Sequence, residues 1–270
     1  MVRFGGEMKL LDRQVPYAQF LDRLRHAAER ILLLDYDGTL APFTTDREHA
    51  YPYPEVPGLL ERIMRNGTRV VLISGRPARE VARLIGATPH PEIWGSHGFE
   101  RMMPDGSHFI GRLPEVQDAG LAAAFSSLQG YSLEANLERK AGGVALHWRG
   151  LVRPAREALR EKALQSWQPL LGPHHLRLLE FDGGLEIRVP AANKGDAVLC
   201  ILREAGMDPA VAFMGDDQTD EDAFHMLKGR GLPILVSAEP RPTEAEVWLE
   251  PPGELLEFLR RWLLASGGEA

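Results

Sequence analysis

Two carboxylates two positions apart, Asp35 and Asp37 in "ILLLDYDGTLAPF", follow an aliphatic run and precede a glycine. A second acidic pair, Asp216 and Asp217, follows another such run in "AVAFMGDDQTDED". Ligands of open parallel sheets bind outside the carboxyl ends of the strands, so these are the places to look for chemistry. Turn and cap formation also bring Asp, Ser and Gly to strand ends. That explanation suits Glu221 and Asp222: Thr219 reads as a helix N-cap with Asp222 completing a capping box, and Asp220 and Glu221 favour the positive end of the helix. It suits the four carboxylates less well, because like charges gathered at one sheet edge repel unless something positive lies between them. Mg²⁺ answers that need, since it takes oxygen ligands and commonly binds through one or two carboxylates, waters and a substrate phosphate. Lys194 in "AANKGDAV" and the backbone N–H groups around Thr39 ("DGT") and Gly75 and Arg76 ("SGR") add positive potential for a phosphoryl group. Asp35 would then attack as a carboxylate, giving an aspartyl-phosphate. Asp37 would protonate the leaving alcohol and afterwards activate water.

These groups need a scaffold that ends several strands at one edge. The runs "RILLLD", "TRVVLISG", "PEIWGS", "AVAFMGDD" and "LPILVS" are expected to be buried parallel strands. Helical patterns lie between several of them: "EVPGLLERIMRNG", "RPAREVARLIG" and "NKGDAVLCILREAG", each closing at a glycine suited to a left-handed cap. Such alternation predicts an α/β fold with a doubly wound, mostly parallel, Rossmann-like sheet. The rhythm breaks between residues 112 and 190, where two helices alternate with hairpin-like strand pairs, "SLEANLERK" with "GGVALHWRG" and "HLRLLEFDG" with "GLEIRVP". The expected organisation is a catalytic core over 1–111 and 191–270 with an α+β cap domain over 112–190.

Composition narrows the partners. The 270 residues are 44% hydrophobic and 26% charged, ordinary for a folded globular chain. The net charge is −7 with no basic run, which argues against nucleic acid or an anionic membrane. No window approaches the ~20 apolar residues of a membrane span, and the N-terminus has no signal-peptide core. One cysteine, Cys200, in the helical "AVLCILRE", is expected to be a packed thiol. A cytoplasmic location follows as an expectation. The tail "ASGGEA" is expected to fray.

In order, "DYDGTL", "LISGR", "NKGDAV" and "MGDDQTDED" resemble the four motifs of the haloacid dehalogenase (HAD) superfamily of phosphohydrolases. The resemblance implies Asp35 as nucleophile, Asp37 as acid/base and, through its carbonyl, a ligand of Mg²⁺. It also implies Ser74 as a phosphate contact, Lys194 as the cation beside nucleophile and phosphate, Asp216 as a metal ligand, and Asp217 as a ligand or a holder of its waters. A cap between the second and third motifs is implied as well. Adding "GSHGFE", "LERKAGGVALHWR" and "LEIRVPAANKG", the chain from Ile31 to Leu227 is similar to the trehalose-6-phosphate phosphatases.

Sugar hydroxyls call for side chains that donate and accept. Glu138, Lys140, His147, Arg149 and Glu186 in the cap, with His97 and Glu100 from "GSHGFE", are the candidates. If "LERK" and "VALHWR" pair, Glu138 and Lys140 share a face, and so do His147 and Arg149; a solvated face of cross-strand ion pairs is the other reading of the latter two. The expected activity is Mg²⁺-dependent hydrolysis of trehalose 6-phosphate, in functional pairing with a synthase that makes that ester. The alternatives are sucrose 6-phosphate or a mannosyl-phosphoglycerate as substrate, or a non-catalytic sugar-phosphate-binding module. A phosphorylated receiver domain would have no use for Asp37 or the insert.

Overall fold

The computed structural model describes residues 2–4, 8–10, 17–44, 46–129, 136–181 and 183–269. In chain order its strands are β1 (Val2–Phe4), β2 (Met8–Leu10), β3 (Arg30–Leu34), β4 (Thr68–Ile73), β5 (Glu92–Gly95), β6 (Glu100–Met102), β7 (His108–Ile110), β8 (Leu137–Lys140), β9 (Gly143–His147), β10 (Arg177–Phe181), β11 (Gly184–Arg188), β12 (Ala210–Gly215), β13 (Leu232–Val236) and β14 (Val247–Leu249). The α-helices are α1 (Tyr17–His26), α2 (Val56–Arg65), α3 (Ala78–Ile85), α4 (Glu115–Leu128), α5 (Arg153–Leu171), α6 (Lys194–Glu204), α7 (Glu221–Leu227) and α8 (Gly253–Ala265).

The unbroken run Ile31–Leu34 is apolar because both faces of its strand are covered. Leu32 and Leu34 pack into one cluster, with α2, α3 and α8, and Ile31 and Leu33 into another, with α6 and α7. β3 is central in a ten-stranded sheet ordered β1-β2-β14-β13-β12-β3-β4-β5-β6-β7. The six strands from β14 to β5 run parallel, and β2 and β6 join them antiparallel. All five predicted strands are among the six. The sixth, β14, is only "VWL", too short to show a period. Gly86 ends α3 in the left-handed region, and Gly67, next after the Asn66 cap of α2, is left-handed too, both as expected. The expectation fails at α6: Ala205 leaves the helix in extended conformation and Gly206 is not left-handed. Cys200 is half-buried on α6 against the second cluster.

Between β7 and α6 the chain builds a separate four-stranded antiparallel sheet, ordered β10-β11-β9-β8. The strand expected to begin at Ser132 begins at Leu137; residues 130–135 lie outside those described. Alternation sorts its two faces. Val144, Leu146, Leu185 and Ile187 point into a third apolar cluster shared with α4 and α5. Glu138, Ala145 and Glu186 pair in register across the other face, which also carries Lys140, Gly143 and His147. Among the described residues no helix is long and apolar enough to cross a membrane.

Candidate active site

Adjacent parallel strands bring the two acidic motifs together. Leu34 pairs with Met214, and the N–H of Asp35 donates to the Met214 carbonyl at 2.8 Å. Gly38, at φ +83°, lets the loop after β3 approach Asp216; a Cβ there would overlap the Asp216 carboxylate. Lys194 opens α6 and is 3% exposed. Its Nζ donates to Asp35 Oδ1 at 2.5 Å and to Asp220 Oδ1 at 2.6 Å. Thr39 Oγ1 donates to Asp35 Oδ2 at 3.3 Å, so Thr39 supports the nucleophile candidate from a fully buried position.

Asp220 departs from its expected role. It is fully buried, and its Oδ2 accepts from the N–H groups of Asp216 and Asp217, both at 3.0 Å. It therefore anchors Lys194 and shapes the turn after β12, instead of acting as a charge at a helix end. The cap of that turn is also reassigned: Asp217, not Thr219, accepts from the Gln218 N–H at 2.6 Å and forms the capping box with Asp220. Local spacing favoured Thr219–Asp222; the demand of a buried lysine for two carboxylates selected Asp217–Asp220.

Asp35, Asp216 and Asp220 each offer an oxygen within 4.8 Å of the others. One lysine cannot balance three carboxylates. Burial, aided by Asp220 and opposed by Lys194, pushes the Asp35 carboxyl up to about 7. Burial together with Asp35 and Asp220 raises Asp216 well above the carboxylate range. Lys194 stays protonated, because Asp220 and Asp35 outweigh its burial. An all-oxygen set with surplus negative charge fits a hard divalent cation. Asp220 is turned away from the cavity, toward Lys194 and the backbone of its own turn, whereas Asp35 and Asp216 line the cavity and could hold such an ion. Asp217, expected beside the metal, lies outside the cluster and lines the cavity.

Asp37 is gripped from the side. Arg76 donates from Nε and NH2 to its two oxygens, each at 2.7 Å, and from NH1 to the Arg47 carbonyl at 2.7 Å and to Glu80. Arg76 lines the cavity, but its fork is committed to these partners, so its place is beside the acid/base candidate. Ser74 Oγ accepts from the Arg76 N–H at 3.1 Å and is 1% exposed, behind the Gly75 backbone that reaches the cavity.

Opposite these groups stands the polar face of the small sheet. Glu186, 2% exposed, accepts from Lys140 Nζ at 3.2 Å and lies 3.2 Å from His97 Nε2. Gly143 makes room for this meeting, since a Cβ there would come within 2.9 Å of Glu186 Oε1. Burial opposes the Glu186 charge, yet Lys140 and His97 hold its carboxyl far below the usual range. Burial lowers His97 to about 4 against the pull of Glu186, so the ring is neutral and its Nδ1 is buried without a partner among the described residues. Glu138 Oε2 is 2.6 Å from Arg47 NH1 and 2.8 Å from His147 Nε2. The Arg149 guanidinium lies over the Phe43 ring at 4.7 Å, just beyond the end of β9. Glu100 does not join this set: it accepts from Ser96 Oγ at 2.7 Å, His108 Nε2 at 2.7 Å and the Ala78 N–H at 3.1 Å. It braces the turn that carries His97 and caps α3, a role a dense local hydrogen-bond demand assigns and sequence spacing does not display. The carboxylate edge and His97, Lys140, His147, Arg149 and Glu186 enclose a common cavity of about 240 Å³, which Glu138 does not line.

The trehalose-phosphatase family model matches residues 33–250. The chain belongs to the trehalose-phosphatase family. A trehalose-phosphate phosphatase of Mycobacterium tuberculosis is 32% identical to it, over 87% of this chain and 61% of the relative, so this trehalose-phosphatase-family chain spans about three fifths of that protein's length. Among solved structures, the C-terminal domain of a trehalose-6-phosphate phosphatase from C. albicans superposes with a TM-score of 0.75 at 19% identity, covering 97% of this chain and 100% of that one. A phosphatase of the haloalkanoate (HAD) superfamily from Bacteroides thetaiotaomicron gives a TM-score of 0.61 at 17% identity, covering 93% and 98%. These likenesses establish the fold. Within the family frame, Phe43, Arg47, Asn136 and Phe181 line the cavity without having been singled out in the sequence. Arg47 and Phe43 sit in a loop with no periodicity, and only their distance from the insert in space reveals them. Asp220 had a legible signal, an acid three and four residues beyond the Asp216–Asp217 pair on a tight turn.

Proposed function

We propose that the chain is a phosphatase that hydrolyses trehalose 6-phosphate to trehalose and phosphate. The observation that carries this reading is the facing of two sets in one cavity: Asp35, Lys194 and Asp216 on the core, and Glu186, Lys140 and His97 opposite them. The first set suits a phosphoryl group and the second a polyhydroxylated leaving group. Family membership supplies the substrate class.

In this mechanism an Asp35 oxygen attacks phosphorus, and the bond to the sugar oxygen breaks as an aspartyl-phosphate forms. Lys194 keeps Asp35 oriented and balances part of the charge of the incoming phosphate. To act as the acid, Asp37 must turn one oxygen out of the Arg76 fork and carry a proton on it; it gives that proton to the departing sugar oxygen, then takes one from the water that cleaves the acyl-phosphate and restores Asp35. Asp35 and Asp216, with the Asp37 carbonyl, would hold Mg²⁺. When bound, the ion supplies positive charge for the phosphoryl oxygens and for the carboxylates that surround them. Glu186 and Lys140, which line the cavity, accept and donate to sugar hydroxyls. The single cysteine supports a cytoplasmic setting, with the ester supplied by a synthase.

Purified protein is expected to release phosphate from trehalose 6-phosphate with Mg²⁺ and to stop when a chelator is added. A panel with sucrose 6-phosphate and a mannosyl-phosphoglycerate, compared by kcat/KM, tests the sugar; a higher value for either would transfer the assignment. Glu186→Ala is expected to lower kcat/KM for trehalose 6-phosphate by about 10- to 100-fold, the worth of charged hydrogen bonds. Para-nitrophenyl phosphate, which has no sugar, should be turned over nearly as before. Equal losses on both esters would remove Glu186 from the sugar site.

A further inference from the structure

The loop that follows β3 sends two side chains across to the insert. Arg47 NH1 lies 2.6 Å from Glu138 Oε2 and 2.7 Å from His147 Nε2, and its NH2 is 3.4 Å from Glu138 Oε1. Four residues earlier, Phe43 receives the Arg149 guanidinium on its ring. Three of the side chains expected to read sugar thus also dock on the core.

The base of this contact is stiff. The Arg47 carbonyl accepts from Arg76 NH1, and Arg76 is held in turn by Asp37 and Glu80. Asp46 caps the short turn that carries Arg47, accepting from the Glu48 N–H at 3.2 Å. The Arg47 side chain is 29% exposed and stands between two cavities: the site itself, and an outer groove of about 480 Å³ that Glu48, Arg79 and Arg83 help to line. Removing its guanidinium would both release the insert and open the side of the site.

We propose that Arg47 is a latch that holds the cap down over the catalytic edge through Glu138 and His147, and so favours a substrate large enough to need the closed cap. The proposal rests on the phosphatase reading above for its catalytic consequence. Arg47 is a positioning residue: it touches the cap from the core floor, and the reaction proceeds on other groups. An ion pair with a fork of two donors on one carboxylate resists lateral sliding of the cap, which a single-point lysine contact would not.

The test compares wild type, Arg47→Ala and Arg47→Lys in the full chain. Arg47→Ala is expected to raise KM for trehalose 6-phosphate about 5-fold, the upper end for a partly exposed ion pair. Its kcat/KM for para-nitrophenyl phosphate should stay level or rise, because a small ester gains from an open site. Small-angle scattering should show a larger radius of gyration for Arg47→Ala, with Arg47→Lys between the two. Phe43→Ala, which removes the contact of the same loop with Arg149, should move scattering and KM in the same direction. A scattering curve for Arg47→Ala identical to wild type would overturn the latch. Equal losses on both esters would also overturn it, by placing the effect of Arg47 on Asp37 through Arg76. A wild type inert on trehalose 6-phosphate would refute the phosphatase reading, and the scattering comparison would still decide the latch.

Discussion

Asp35→Asn is expected to abolish phosphate release from trehalose 6-phosphate, with kcat lower by on the order of 10⁴-fold or more, as when a covalent nucleophile is removed. The amide cannot attack phosphorus, although it keeps the shape of the side chain and its contact with Thr39. What separates this loss from misfolding is the predicted effect on stability. In wild-type protein kept free of metal, the Asp35 carboxyl is raised from its ordinary 3.8 to about 7, burial being the largest cause. A carboxyl raised in the folded state stabilises below its unfolded pKa and loses that contribution as pH rises through the folded one. Thermal unfolding of wild type with a chelator should therefore weaken between pH 3.8 and about 7. Asp35→Asn should lack that part of the slope and melt at or above wild type near pH 7. Turnover at the wild-type rate would show that Asp35 is not the nucleophile.

Lys194→Met should be the most damaging change to the molecule as a whole. The methionine fills the same channel but leaves Asp35 and Asp220 facing each other without the cation that lies 2.5 and 2.6 Å from them. Removing one partner of a buried ion pair costs about 3–5 kcal/mol. At this chain length each kcal/mol lowers Tm by roughly 2–4 °C, so the fall should be plain in a melting curve. Turnover should drop by about 10²–10³-fold, the scale of a lost electrostatic group at developing charge. Mg²⁺ should recover part of the stability by restoring positive charge beside Asp35 and Asp216, and none of it if the cluster does not bind cations. A Tm equal to wild type would show that Lys194 does not balance these carboxylates.

Both predictions begin from features legible in the chain. The strand ends "LLLD", "LISG" and "FMGDD" and the lysine of "NKGD" are local patterns: an aliphatic run long enough to be buried on both faces, stopped by polar residues. Their order gave the parallel core and the break that became the second sheet. Period-two alternation likewise put Glu138 and Lys140 on one face; that Gly143 is the gap through which Lys140 meets Glu186 is a matter of the folded sheet.

What escaped the sequence are partnerships between segments that carry no mutual signal. Glu100 looked like a cavity residue but was claimed by Ser96, His108 and the Ala78 amide. Arg76 was expected to face a phosphate through its backbone N–H, which here donates to Ser74 Oγ, while its fork holds Asp37 and Glu80. Asp220 looked like a helix-end charge, and Lys194 made it an anchor. In each case a buried polar group had to find a partner, and which partner depended on the three-dimensional neighbours delivered by a different strand or helix. Residue order thus determined the chemistry offered at the strand ends: two acidic pairs, a lysine and glycine-lined turns. Only the tertiary structure decided which carboxylates surround Lys194, which arginine holds Asp37 and which core side chains reach the cap, because those choices follow from distance and desolvation in the folded state.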